Sequence, residues 1–481
     1  MSLRSLALGA FCTLALFTPT HAQTLTAEQA RTDLEALYQG LRQAHYDLFQ
    51  ATPETVFERA YDDLRRQLDR PIDAAELHYE FQRFVALARH AHARVEGFNP
   101  GFNTYLDQGG LLFPLKVSIQ DGAVIVTGVP AGQNVQLGDE ILRLDDAPNG
   151  HWIGALTRNI SAESPALAYS QLEQLLPYFV WLEMGARDNF SLTLRREGQP
   201  LSVTLEAIDY ETYASMTTTS GAVDLSGRAG SMMTDTIAYL RPGPFYNFEA
   251  ERPEDAYAPE ATRRYVSFID ERFETFIEAG ARSLIIDLRN NPGGDASYSD
   301  PVIAWFADQP FRFYSEFRMK VSPQTTASNA TRLAGRDPSE AGISGVFADL
   351  FEAHEPGEIV YLDIDLVDPC EERFEGEVYV LINAQSYSNA ASAAALIQDY
   401  GFGIVVGEGT TDMATTFGAM EHFNLPHSGF QIGYPKAHII RPNGEEALHP
   451  VTPDIELGSN DRAVGEDDML QDLIALIEGR H

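Results

Sequence analysis

The chain has 481 residues, 44% of them hydrophobic, with 34 lysines and arginines set against 70 aspartates and glutamates for a formal net charge of −36. So large an excess of acid repels nucleic acid and anionic membrane surfaces, and because the acids are spread along the chain they read as a solvated surface. The length predicts two or three domains.

In chain order, the first 22 residues read as a secretory leader: Arg4, an apolar stretch over 6–17, then Thr18-Pro19-Thr20-His21-Ala22 with small residues before the cleavage point. Export is therefore expected, periplasmic or secreted, and no later segment is apolar enough to insert in a membrane. Loss of the leader removes Cys12, so Cys370 stands alone and an intramolecular disulfide is excluded. Residues 24–105 carry helical periodicity in Leu34, Leu37, Tyr38 and Leu41, then Phe57, Leu64 and Leu68, then Phe81, Phe84 and Val85, with breaks at Pro53 and Pro71.

Residues 106–208 read as short strands at 112–119, 123–129, 140–144, 190–195 and 201–207. The stretch 149–188 between them, with Tyr178, Phe179 and Trp181, reads as an insertion or lid. Residues 215–481 predict an α/β core: a strand at 236–240, a helix at 262–278, a strand at 284–288, another at 378–382, a helix from Asn389 stopped by Gly401 and Gly403, and a strand at 404–408. The polar 323–342 reads as irregular and 352–377 as acidic.

Two segments of this core carry the chemistry. The first strand ends in Asp287-Leu288-Arg289-Asn290-Asn291-Pro292-Gly293-Gly294, a turn whose glycine amides can cradle negative charge. The second places Ser388 at the first turn of a helix that follows a buried strand. A serine there serves either as an N-cap, accepting a bond from an orphan amide, or as a nucleophile at the positive end of the helix.

The pair of segments resembles the S41 serine peptidases, the family of carboxyl-terminal processing proteases and the tricorn core protease. The match rests on Asp287 to Gly294, on Ser388 with Glu408-Gly409-Thr410 about twenty residues later, and on Val451-Thr452-Pro453-Asp454-Ile455. The resemblance implies Ser388 as nucleophile and the Gly293 or Gly294 and Asn389 amides as an oxyanion hole. Pro450 replaces the glycine expected before the last of these elements, and two further departures matter. Met413 stands where processing proteases keep a lysine base, and Ala391 replaces a usual glutamate.

The tricorn-like branch takes a histidine from its N-terminal region instead, and the segment 84–95 places His92 on that position, with His90 as a second option. Neutral imidazole accepts a hydroxyl proton near pH 7. The same pair could merely cap carbonyls. It lacks the partners zinc needs, so neither metal nor cofactor is expected. The branch also implies a carboxylate behind the base, which falls on Glu446, or on Glu445 with a one-residue offset. The segments 129–131 and 137–144 resemble a PDZ domain, with Gly110, Leu111, Leu112 and Phe113 where such domains bind a peptide's terminal carboxylate.

The expectation is therefore an exported serine endopeptidase of α/β class with three parts after the leader: a helical module over 24–105, a PDZ-like β domain over 106–208 and a peptidase core over 215–481. Its partner would be a polypeptide or its C-terminal tail. A catalytically silent binding protein on the same fold, and a hydrolase of esters or small peptides, are the competing readings, and the oligomeric state is open.

Overall fold

A computed structural model describes residues 24–120, 122–218, 225, 227–250, 256–334, 341–458 and 467–480. The expected leader lies outside the described residues. The core is a sheet that runs, among these residues, in the order Ala229–Met232, Ile237–Arg241, Ser283–Asp287, Glu377–Ile382, Ile404–Gly407, Ile455–Glu456. All its pairings after the first are parallel. Parallel strands are covered on both faces, which is why Ser283–Asp287 is buried at every position. The helix Pro259–Glu278 packs one face with Tyr265, Ile269, Phe273 and Phe276. The C-terminal helix Asp468–Arg480 covers the other with Met469, Leu470, Leu473 and Ile477.

The polar residues of the Asp287-Leu288-Arg289 motif hold this layer together. Arg289 donates to both Asp287 oxygens, at 2.9 and 2.7 Å, and to both Asp467 oxygens, at 2.7 and 2.6 Å. Tyr239 adds a bond to Asp287 at 2.8 Å. Asp467 also accepts the Leu470 amide, so the guanidinium ties the C-terminal helix to the strand that leads into the glycine turn.

A second sheet carries a long antiparallel hairpin, Thr416–Asn424 with Gln431–Ile440, flanked by Glu316–Lys320 and Ile359–Leu362. The hairpin tip reaches into the N-terminal helices Ala27–Ala44, Glu54–Gln67 and Ala74–Ala86. Leu425, Phe430, Ile432 and Tyr434 share one apolar cluster with Leu34, Leu37, Phe57, Phe81 and Phe84. Asp33 accepts the amides of His427 and Ser428 at 2.9 and 2.7 Å, and Lys320 caps the first helix through the Arg42 and His45 carbonyls. The short strand Arg94–Val95 then pairs with Gly433 and Ile432, which sews the end of the helical segment to the hairpin.

The third sheet holds the expected strands Ala123–Val129, Glu140–Leu144, Asn189–Arg196 and Gln199–Glu206, and Lys116–Gln120 in place of 112–119. The insertion forms the helices Asn149–Thr157, Pro165–Gln174 and Leu176–Met184, and Tyr178 and Phe179 enter the core beside Phe102. The amides expected to be open for a carboxylate are occupied. Gly110 donates to the Tyr105 carbonyl, Leu111 to the Tyr105 hydroxyl and Leu112 to the Ile208 carbonyl, while Phe113 is buried against Phe190. The 323–342 stretch also differs from expectation. Ser322 accepts the Thr325 amide and starts a helix over Pro323–Leu333.

Replacing Arg289 with Met should destabilise the protein by about 3–5 kcal/mol in denaturant unfolding, because it leaves Asp287 buried without its cation. A loss below about 1 kcal/mol would mean that the network does not anchor the C-terminal helix.

Candidate active site

The two chemistry-bearing segments leave neighbouring parallel strands, Ser283–Asp287 and Glu377–Ile382, at the same end. Their loops are then stitched together. Asn290 and Asn383 exchange bonds at 3.0 and 2.7 Å, the Ser386 hydroxyl donates to the Leu288 carbonyl at 2.8 Å, and the Tyr387 amide donates to the Asn291 carbonyl at 2.9 Å. Ser386 is fully buried in this seam, which makes it a structural serine.

Ser388 follows at φ 53° and ψ −124°, a conformation that L-residues adopt only under compulsion. It occupies the N-cap of Asn389–Tyr400, yet its hydroxyl makes no capping bond. The capping role is thus unfilled, and the strained strand-to-helix turn instead lifts the hydroxyl clear of its own helix. Its Oγ lies 3.4 Å from Nε2 of His92.

Gly293, at φ 82°, lies directly against this turn: a Cβ there would stand 2.6 Å from the Asn389 amide nitrogen and 2.8 Å from the Ser388 Cβ. Gly294 has the Phe245 carbonyl 2.1 Å from the place a Cβ would take. Both positions therefore exclude any side chain. The Gly293 amide is bonded to the Asn291 side chain at 2.9 Å. Asn389 opens the helix, where the first amides have no acceptor within the helix itself.

His92 comes from the segment between the helix Ala74–Ala86 and the strand Arg94–Val95. Its ring is 6% exposed, stacks on Tyr387 with centroids 5.6 Å apart and lies beside Gly418. Burial, with Arg94 adding to it, lowers its pKa from 6.5 to about 4; the Phe417 backbone and Glu96 oppose this more weakly. The imidazole is neutral at pH 7 and free to accept a proton.

His90 has a different place. The Asp47 amide donates to Nδ1 of His45 at 3.2 Å, so His45 carries its proton on Nε2 and donates to Nδ1 of His90 at 3.1 Å. His90 in turn donates from Nε2 to Gln50 at 3.3 Å. Burial keeps both rings neutral. This chain of tautomers is structural and does not reach Ser388.

Glu446 is not brought to His92. It is exposed, and Arg318, paired in register with His438, captures its carboxylate at 2.8 Å. Glu445 lies 3.7 Å from Arg441. The carboxyl groups that do approach the site were missed in the sequence. Asp412 accepts the Ser388 amide at 2.5 Å and the Met413 amide at 2.9 Å. Glu163, from the loop before the helix Pro165–Gln174, accepts the Ala91 amide with both oxygens, at 3.2 and 3.1 Å. Asp412 sits one residue before the Met413 that was singled out, but nothing local in sequence marks Glu163. Among the described residues no group of three His, Cys, Asp or Glu side chains could hold a metal ion.

Residues 258–457 match the family model described as Peptidase family S41. Among solved structures, the chain is similar to mature CPAF complexed with lactacystin, at 16% identity and TM-score 0.62, over 94% of this chain and 97% of that one. Mature CPAF alone gives 16% identity and TM-score 0.58 over 94% and 96%. The photosystem II D1 C-terminal processing protease follows at 14% identity and TM-score 0.45 over 89% and 93%. No curated protein matches the sequence.

If burial sets the state of His92, its imidazole resonances should show the neutral ring from pH 7 down to about 5 in a ¹⁵N-detected titration, with protonation only near 4. A midpoint at the ordinary 6.5 would show that water reaches the ring.

Proposed function

We propose that this chain, whose residues 258–457 match the peptidase family S41 model, is a serine peptidase that cleaves polypeptides by acyl transfer with Ser388 as nucleophile and His92 as base. The observation that carries the reading is the 3.4 Å approach of His92 Nε2 to a serine hydroxyl that its own helix does not use. Such contacts are often long before substrate binds and tighten in the complex.

In the first step Ser388 Oγ attacks the peptide carbonyl carbon as its proton passes to His92 Nε2. Negative charge then collects on the carbonyl oxygen, where the Asn389 and Gly294 amides support it. The imidazolium returns the proton to the departing amine, leaving an acyl-serine that a water molecule, activated by the same imidazole, hydrolyses. Met413 cannot take a proton, so a lysine base at that position is excluded. A buried neutral histidine fits the role, and its stacking on Tyr387, the residue before the nucleophile, fixes the ring plane.

The leader-like start of the sequence supports export of the chain, with the N-terminal helices, the central β module and the peptidase core as its three working parts. No helix among the described residues is long and apolar enough to cross a membrane. Carboxylate capture by Gly110, Leu111 and Leu112 is not part of the proposal, since their amides already have partners.

Ser388→Ala should abolish both peptide hydrolysis and labelling by a fluorophosphonate, while His92→Ala should slow hydrolysis by about 10²–10⁴-fold. A silent binding protein would resist the probe in its native form. Hydrolysis that survives Ser388→Ala would place the nucleophile elsewhere.

With those amides occupied, a free-acid peptide and its amidated form should be cleaved at equal rates. A clear preference for the free acid would mean that the 110–113 loop rearranges on binding.

A further inference from the structure

One short stretch of the helical insertion bonds both to the loop that carries His92 and to the loop that carries Ser388. Ser161 accepts the His90 N–H at 3.0 Å and donates its own hydroxyl to the His90 carbonyl at 2.7 Å. Glu163 accepts the next N–H, that of Ala91. The backbone leading into His92 is therefore gripped from outside its own segment, directly after Arg89, whose φ of 54° is left-handed. The helix Pro165–Gln174 begins just beyond, capped by Ser164 through the Leu167 amide at 3.1 Å. On its second turn Ser170 donates to the Ala384 carbonyl at 3.3 Å, in the loop that ends at Ser388.

We infer that Ser161 and Ser170 are positioning residues at the two contacts of a strut, the helix between them fixing the distance from base to nucleophile. The inference rests on Ser388 and His92 being the reacting groups. A helix suits the task, because its internal hydrogen bonds set a rise of about 1.5 Å per residue and leave little freedom between the contacts.

The packing favours the same division of labour. Ala93 and Val95, just after His92, belong to the cluster of the N-terminal helices, whereas the helix after Ser388 belongs to the core of parallel strands. Left to those two layers, imidazole and hydroxyl would each be placed independently of the other. The insertion belongs to neither layer. Its apolar cluster, to which the strut gives Leu167 and Leu172, takes in Ala91, the residue before the base, and packs against Tyr387, the residue before the nucleophile. Ser161 and Ser170 are both buried, so water does not compete for their bonds. An error of about 1 Å in such placement costs about 10²-fold in rate.

The test is fluorophosphonate labelling of the full chain, with the limiting rate constant kinact separated from the probe affinity KI. Ser161→Ala and Ser170→Ala should each lower kinact by about tenfold at unchanged KI. The double variant should be no slower than the slower single one, because a strut released at one contact is already released. In a His92→Ala background Ser161→Ala should slow labelling no further, since no imidazole is left to place. A serine that serves only the stability of the fold would slow both backgrounds alike, and that result overturns the inference. So do additive losses in the double variant, or a single variant that labels like the native chain. Should Ser161→Ala fail to fold, Ser170→Ala in the two backgrounds decides, because Thr411 also donates to the Ala384 carbonyl and keeps it paired. A native protein that never labels, or a His92→Ala variant that labels at the native rate, overturns the Ser388–His92 reading itself and the strut with it.

Discussion

The structure depends on two loops that leave adjacent parallel strands and bond to each other before either can bond to anything else. The seam of Asn290 with Asn383, Ser386 with Leu288 and Tyr387 with Asn291 joins segments almost a hundred residues apart in sequence. Parallel pairing of Ser283–Asp287 with Glu377–Ile382 fixes where those loops begin. The seam fixes where they end. Only after both constraints does Ser388 find itself in a backbone conformation that costs of order 1–3 kcal/mol and persists because its neighbours leave no alternative. Gly293 and Gly294 belong to the same constraint, since the closeness of the loops leaves no volume for a side chain at either position.

Charge is used sparingly and locally around this seam. The nearby cations are engaged by acids, Arg289 by Asp287 and Asp467 and Arg94 by Glu96. The groups around Ser388 and His92 are neutral rings, amides and carboxyls without a counter-ion among the described residues. A chain with 70 acids and 34 bases could easily have flooded such a site with negative potential. Burial opposes it, by raising the pKa of both Glu163 and Asp412.

How much of this could be read in advance follows from the range of the forces involved. The core strands, the helix after Ser388 and its stop at Gly401 were legible because apolar period and glycine are local signals, and Gly401 does sit in the left-handed conformation that ends a helix. The nearness of His92 to Ser388 was legible only through family likeness, since 296 residues separate them. The hairpin Thr416–Asn424 with Gln431–Ile440 was not seen. Its inner strand is buried almost throughout, and Lys436, paired with Glu421 at 2.6 Å, interrupts the apolar pattern that would have marked it. Glu446 was placed by likeness and then claimed by Arg318, a partner 128 residues away that no local pattern could announce. Asp412 and Glu163 act through backbone amides, and a carboxyl that will bond an amide looks in sequence like any other acid in an acidic chain.

The split between cores has a consequence for how the protein would come apart. His92 hangs from a segment whose stability comes from the N-terminal helices and the tip of the hairpin, whereas Ser388 belongs to the core of parallel strands. Cooperative units of this kind open at different free energies. A partial undocking of the helices from Phe430 and Ile432 would carry the His92 imidazole away and leave Ser388 and its strained turn intact. Heat or mild denaturant would then part His92 from Ser388 well before the central sheet melts, and cooling would reunite them by redocking alone, without refolding.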